Sequence, residues 1–350
     1  MGKSKIGVKN LPPLLQTGEL IRDRYQVEVM IGGGGFGQIF RALDKTRDEK
    51  VAIKIEPEVS DSRRMYLEHC ILLSLVGKSH IPMMRCSGQI RGCSFIAMDL
   101  LGRNLSELRR REKSRTFSFG TTYRIAPQIL DGLRHIHDIG YLHRDAFKLL
   151  HWKQAHDRRM IYILDFGMTR QYRNPDGKTR RAREYAGFRG TIRYASPRVH
   201  ARQESGPADD LISLLYSVVE LGDGTLPWTH IREPAQVEKS KTQTKLSILC
   251  EKQPIELLKF AEVARHTTCF RPNADYELII SLFQKCVPAG VSVATLFDWE
   301  LKEHRTKAEV KEHPSAEKSS IDLAMWILNR TSNRCLTIGM YFCRQKSWAL

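Results

Sequence analysis

Three clusters in this chain have residue types and spacings suited to chemistry on a phosphate. Gly32, Gly34 and Gly37 stand in G-x-G-x-x-G spacing within Ile31-Gly-Gly-Gly-Gly-Phe-Gly37, and Lys54 follows in Val51-Ala-Ile-Lys54. His143-Arg-Asp145 and Leu164-Asp165-Phe-Gly167 come later in the chain. Glycines lack a Cβ and let backbone amides approach phosphate oxygens, and a lysine adds a point charge. The glycine spacing alone is weak, because a dinucleotide-binding turn shares it. That turn needs a helix directly after its last glycine. Here Gln38-Ile-Phe-Arg-Ala42 reads as a strand. A flexible surface hairpin with a chance lysine is the bland alternative, and it leaves the two later clusters unexplained.

The elements around these clusters are legible from periodicity. Tyr25-Gln-Val-Glu-Val-Met30 alternates apolar and polar residues, the strand period, and Val51–Ile55 is a third short strand after the glycine hairpin. Residues 61–76 read as a helix, with Met65, Cys70 or Leu72, Leu73 and Val76 at three- and four-residue steps. Phe95-Ile-Ala-Met98 reads as a strand. From about 121, Ile125, Ile129, Leu133 and Ile136 make one helical stripe that Gly140 stops. Residues 205–222 and 277–287 also read as helices. After Asp298-Trp299 a Lys/Glu/His-rich stretch, 301–320, has linker character, and the chain turns apolar again from Ile321.

Composition bounds the function classes. Of 350 residues, 41% are hydrophobic and 27% charged, an ordinary globular balance that excludes wholesale disorder and collagen-like repeats. Lys and Arg number 56 against 39 Asp and Glu, a net charge of +17. Such an excess favours anionic partners. No apolar run nears the roughly 18 residues of a membrane span, and no dedicated nucleic-acid module is found. The eight cysteines include no C-x-x-C pair, which argues against zinc and thioredoxin-like chemistry. Without a secretory segment, the expectation is reduced thiols and a cytoplasmic protein, with the nucleus open.

The order of Gly-rich loop, Val-Ala-Ile-Lys54, His-Arg-Asp145 and Asp165-Phe-Gly167 resembles the signature set of protein kinases. Phosphoryl transfer is mostly positioning and charge neutralisation. The resemblance implies ATP and Mg²⁺. In it Lys54 holds the α- and β-phosphates, and Glu68 orients Lys54 by an ion pair. Asp165 binds the metal, and Asp145 accepts the proton of a substrate hydroxyl. The ATP surface is then Ile31, Gly32, Gly33, Gly34, Gly35, Phe36, Gly37, Gln38, Ile39, Ala52 and Lys54. Met98 stands at its back, and main-chain groups of Asp99 and Leu101 meet the base.

A finer likeness rests on longer runs. Ile31–Phe40, Leu101-Gly-Arg-Asn-Leu-Ser-Glu-Leu108, Leu164–Tyr172 and Ala186-Gly-Phe-Arg-Gly-Thr-Ile-Arg-Tyr-Ala-Ser196 are similar to the tau-tubulin kinase branch of the casein kinase 1 group. Asp209-Asp210-Leu, Leu226-Pro-Trp228 and Phe297-Asp-Trp299 continue it. This implies an α+β, bilobal kinase fold, with a small β-rich N-lobe at about 24–98 and a larger, mainly helical C-lobe at about 102–300. Residues 1–23 are then a loose arm and 301–350 a tail. It also implies serine/threonine phosphorylation of protein substrates, and acidic or cytoskeletal substrates are the expectation.

One stretch departs from the family. Where the resemblance asks for a metal-binding Asn the chain has Leu150, and where it asks for a Lys it has Phe147. Taken literally, Ala146–Lys153 points to a crippled kinase or to a pseudokinase used as a binding module. Reverse-translated and read one nucleotide forward, Ala146–Trp152 admits Pro, Ser, Asn, Phe, Cys and Ile, followed by a forced Gly. That is the order the resemblance asks for. The expectation is that 146–153 are a frame-shifted reading of a complete catalytic loop.

From Arg170 to Arg193 the chain carries eight Arg and Lys against Asp176 and Glu184. Guanidinium forks match phosphate oxygens. In this group the segment lies beside the substrate groove. Lys178, Arg180, Arg181, Arg183 and Arg189 are therefore candidate contacts for an acidic or already phosphorylated substrate, against the alternative of a solvated basic loop.

Overall fold

The computed structural model describes residues 12–34, 37–58, 62–145, 151–152, 159–267 and 275–302. The chain divides into two compact units, residues 1–297 and 298–350. The division falls just before the boundary at 300 expected from sequence. Of the second unit, 298–302 form a helical turn, and the tail from 303 lies outside the described residues.

The first unit opens with an antiparallel sheet in the order β1-β2-β3-β4-β6-β5. Its strands are β1 (Leu20–Ile21), β2 (Tyr25–Gly34), β3 (Gly37–Asp44), β4 (Glu49–Pro57), β5 (Met84–Ile90) and β6 (Cys93–Asp99), with helix α1 (Ser62–Ser74) between β4 and β5. A strand sends alternate side chains to opposite faces. In β4 this sends Val51, Ile53 and Ile55 to a core with Tyr25, Val27, Phe40, Ala42, Phe95 and Ala97. Ala52 and Lys54 fall on the other face, opposite Met98 and Ile96 of β6. The same periodicity that builds the core therefore aims Lys54 away from it.

Two expectations are corrected here. The arm at 1–23 is not loose over its described part. Leu15 is 1% exposed within the sheet core, and β1 pairs with β2. The apolar residues Leu14, Leu15 and Ile21 gain burial only by lying on the sheet. The face of α1 also differs. Met65 and Leu72 are buried as expected, but Leu73 and Val76 are exposed, and Ile71 and Leu75 are buried instead. This segment has apolar residues on several sides, so periodicity alone does not choose its buried face.

The rest of the unit is mainly helical. It comprises α2 (Leu105–Arg111), α3 (Phe119–Asp138), β7 (Tyr141–Leu142), β8 (His151–Trp152), β9 (Ile161–Tyr162), β10 (Arg170–Gln171), α4 (Pro197–His200), α5 (Pro207–Asp223), α6 (Pro234–Gln243), α7 (Leu246–Leu249), α8 (Ile255–His266) and α9 (Tyr276–Lys285). The Ser118 hydroxyl caps α3 by accepting from Thr121 N–H, and Gly140 follows its end at φ +82°. Its stripe Ile125, Ile129, Leu133 and Ile136 is wholly buried. Two short antiparallel pairs, β7–β10 and β8–β9, flank the described segments 143–145 and 163–169. No helix among the described residues is long and apolar enough to cross a membrane.

Candidate active site

β4 and α1 bring the first two charged groups together. Lys54 Nζ donates to Glu68 Oε2 at 2.5 Å and to Asp165 Oδ1 at 3.0 Å, and Lys54 and Glu68 are buried. Burial would lower Lys54, but the two carboxylates outweigh it and raise its pKa. Burial likewise would raise Asp165, and Lys54 holds its carboxyl below the ordinary value instead. Glu68, buried more deeply, is pushed up against the pull of Lys54.

Asp165 sits at φ +66° and Arg144 at φ +69°, left-handed conformations that cost a non-glycine residue energy. Both are over-determined by their surroundings. Phe166 is buried edge-on to His143, with ring centroids 5.5 Å apart. His143 Nε2 bonds Leu164 O at 3.1 Å, while Asp145 N–H donates to His143 Nδ1 at 3.2 Å. These roles require a neutral imidazole with its proton on Nε2. Burial lowers the His143 pKa, which agrees with them.

Asp210, in the first turn of α5, organises the loop that carries Asp145. Its carboxylate accepts the backbone N–H groups of His143 and Arg144, both at 2.8 Å, and contacts His137 Nε2 at 2.9 Å. Burial would raise Asp210, and His137 together with these bonds keeps it below the ordinary value. Asp210→Ala would leave the two donors without a partner. It is expected to destabilise the protein by about 3–5 kcal/mol, read by urea unfolding, and a loss under about 1 kcal/mol would contradict this role.

Asp145 is placed by a second contact. Thr191 N–H donates to its Oδ1 at 3.0 Å. Gly190, just before, has φ +101°, and a Cβ there would meet Arg144 O at 2.4 Å, so only glycine lets this turn approach.

Most of the residues expected to form the nucleotide surface lie on β2, β3, β4 and β6. Ile31 and Ile39 are exposed on the glycine hairpin, with Ala52 and Met98 buried beneath in cross-strand register. Gly37 has φ +98°, and a Cβ would meet Ile55 O at 2.4 Å. Gly35 and Phe36 lie outside the described residues. Asp99 donates its N–H to Met83 O, and its carboxylate accepts from Arg85, so that side chain is turned to β5. Gln38 is a correction. Its side chain donates to Pro12 O at 2.9 Å and accepts from Leu14 N–H at 2.7 Å. Strand alternation puts Gln38 on the face opposite Ile39, where it braces the N-terminal segment.

Of the basic candidates, Lys178, Arg180, Arg181 and Arg189 are exposed. Arg183 is committed to Glu204, with bonds of 2.6 and 2.9 Å, and Arg170 joins it at 2.8 and 3.2 Å. Burial would raise Glu204, but Arg183 and Arg170 push its carboxyl down from 4.5 to about 2. A depressed carboxylate adds stability that is full above its unfolded value and lost as pH falls through the folded one. Glu204→Gln is therefore expected to flatten the thermal stability profile between pH 4.5 and about 2. An unaltered profile would contradict the pairing.

Sequence reasoning missed Asp210, Thr191 and Glu204 as site residues. The Asp209-Asp210 pair at a helix start was the available signal. Phe147 and Leu150 lie outside the described residues, as does the rest of 146–153 except His151 and Trp152.

Comparison with known proteins finds relatives along most of the chain. The family described as protein kinase domain matches residues 25–348. A Dictyostelium discoideum protein named as a serine/threonine-protein kinase is 33% identical over 289 residues, covering 82% of this chain. The chain spans 58% of that relative's length. A Caenorhabditis elegans protein named as a casein kinase I is 38% identical over 229 residues, 64% of this chain and 67% of that protein. A second, named as a serine/threonine-protein kinase, is 32% identical over 320 residues, 88% of this chain and 89% of that protein.

Proposed function

This chain belongs to the protein kinase family, and from that premise we infer that it is a protein serine/threonine kinase, transferring the γ-phosphate of ATP to protein hydroxyls. The observation that carries the reading is the placement of Lys54 on both Glu68 and Asp165. It brings a buried cation and an ionised carboxylate to the mouth of a glycine hairpin.

Each residue then has a task. Lys54 meets phosphate oxygens as a fixed charge, and Glu68 keeps its long side chain from swinging away. Asp145, steadied by Thr191 N–H, accepts the proton leaving the acceptor hydroxyl. Ile31, Ile39, Ala52 and Met98 clasp the base. Asp165 is a hard oxygen donor held ionised, which suits Mg²⁺, an ion commonly held by one or two carboxylates plus substrate phosphates. Among the described residues no three metal-ligating side chains gather, so Asp165 would hold the ion with the phosphates themselves. Mg²⁺ held by Asp165 would supply positive charge to offset charge on the transferred group.

Within the family we place the chain in the tau-tubulin kinase-like branch, on the runs quoted above. We assign it acidic or phospho-primed substrates, cytoskeletal proteins among them, and a cytoplasmic site of action. The exposed Lys178, Arg180, Arg181 and Arg189 support the charge preference.

Incubation of the full chain with radiolabelled ATP, Mg²⁺ and a serine/threonine peptide array tests both levels. Label is expected on acidic or phosphorylated peptides, and none with Asp165→Asn. No transfer by the wild-type chain overturns the kinase reading, and a basic preference overturns the substrate class alone. The pseudokinase reading rests on Phe147 and Leu150. The transcript across codons 143–156 is expected to encode Ile-Lys-Pro-Ser-Asn-Phe after Asp145. If it encodes Ala146–Trp152 as written, a nucleotide-dependent or nucleotide-free binding module becomes the leading function.

A further inference from the structure

Four consecutive carbonyls, from Ile192 to Ala195, are each tied down by a side chain from elsewhere in the helical lobe. Lys241 Nζ donates to Ile192 O at 2.6 Å and to Ala195 O at 2.7 Å. Trp228 Nε1 donates to Arg193 O at 2.8 Å, and Ser213 Oγ to Tyr194 O at 2.8 Å. Immediately before them, Thr191 gives its N–H to Asp145. The turn that touches the candidate base is therefore anchored chiefly by α6, through Lys241.

Lys241 is an unusual anchor. It runs from the last turn of α6 to lie 5.3 and 5.2 Å from the ring centroids of Tyr216 and Trp228, two rings that meet edge to face at 4.7 Å. Its third contact is His200 Nε2 at 3.2 Å. An ammonium has three donors and no acceptor, so that contact is a bond only with the nitrogen unprotonated. Burial and the Lys241 charge push His200 down to about 4, which agrees. No described carboxylate pairs with Lys241, and burial pushes it down to about 7.

A buried cation without a counter-charge is costly. An apolar side chain of the same length would cover the two rings at less cost. Packing therefore does not call for an N–H donor at this position, whereas the carbonyls of the turn do.

We propose that Lys241 is a positioning residue for phosphoryl transfer, fixing the 191–195 turn so that it steadies Asp145 and presents the protein substrate. This rests on the kinase reading above. Two measurements on the full chain test it. In Lys241→Met, kcat/KM for an acceptor peptide chosen from the array is expected to fall about ten- to a hundred-fold, with ATP affinity unchanged. Hydrogen exchange of amides 191–196 is expected to rise, while β4 and α1 exchange as before. Trp228→Phe keeps a ring but removes one donor, and should raise exchange in the same amides by less. It also preserves the test if Lys241→Met does not fold. Unchanged exchange at 191–196 overturns the proposal, and so does an equal loss of ATP affinity, which would mark general unpacking. Exchange needs no turnover. A wild-type chain that phosphorylates nothing would remove the kinase reading, and the amides alone would then decide this inference.

Discussion

Asp145→Asn is expected to lower turnover by about a hundred- to ten-thousand-fold, the range for loss of a positioned general base. ATP affinity should not change. The substitution is informative because an amide oxygen can still accept from Thr191 N–H, which now lies 3.0 Å from Asp145 Oδ1. The turn keeps its anchor, and only proton acceptance is lost. Single-turnover kinetics with ATP binding measured separately check this. A variant with near-normal turnover would remove Asp145 from the chemistry, and a variant that also loses ATP affinity would show that the carboxylate shapes the nucleotide cleft.

The second large effect concerns Lys54 and Glu68. Lys54→Met is expected to reduce kcat/KM by about a hundred- to a thousand-fold, the scale seen when one preorganised charge is removed. Glu68→Gln should cost less, because Lys54 would keep Asp165 as a partner at 3.0 Å. The double variant should be no worse than Lys54→Met alone, since Glu68 acts by holding Lys54 at 2.5 Å. Simple additivity would contradict that, and would mean that Glu68 shapes α1 independently of the pair. The raised pKa of Lys54 adds a pH expectation. A raised amine stays cationic beyond its ordinary range, so alkaline loss of activity should not trace to this group.

How much of the site could be read before folding depends on the range of the interaction that places each residue. Period-two alternation is local, and it was enough to send Val51, Ile53 and Ile55 to the core and Lys54 to the opposite face. The stripe of α3 and its stop at Gly140 were legible for the same reason. So was the order of the motifs, because their chemistry requires particular residue types.

The sequence by itself thus determined the candidate residues for phosphate chemistry, most of the strands and helices around them, and the family. Tertiary structure decided which face α1 buries, since its apolar residues surround the helix and only the packed lobe selects Ile71 and Leu75 over Leu73 and Val76. It also decided that Gln38 braces Pro12 and Leu14, that Asp210 holds the backbone of His143 and Arg144, and that Lys241 pins the turn beside Asp145. Each of these joins residues remote in the chain. Such contacts exist only once the loop-closure entropy has been met by burial elsewhere, and no local pattern records them.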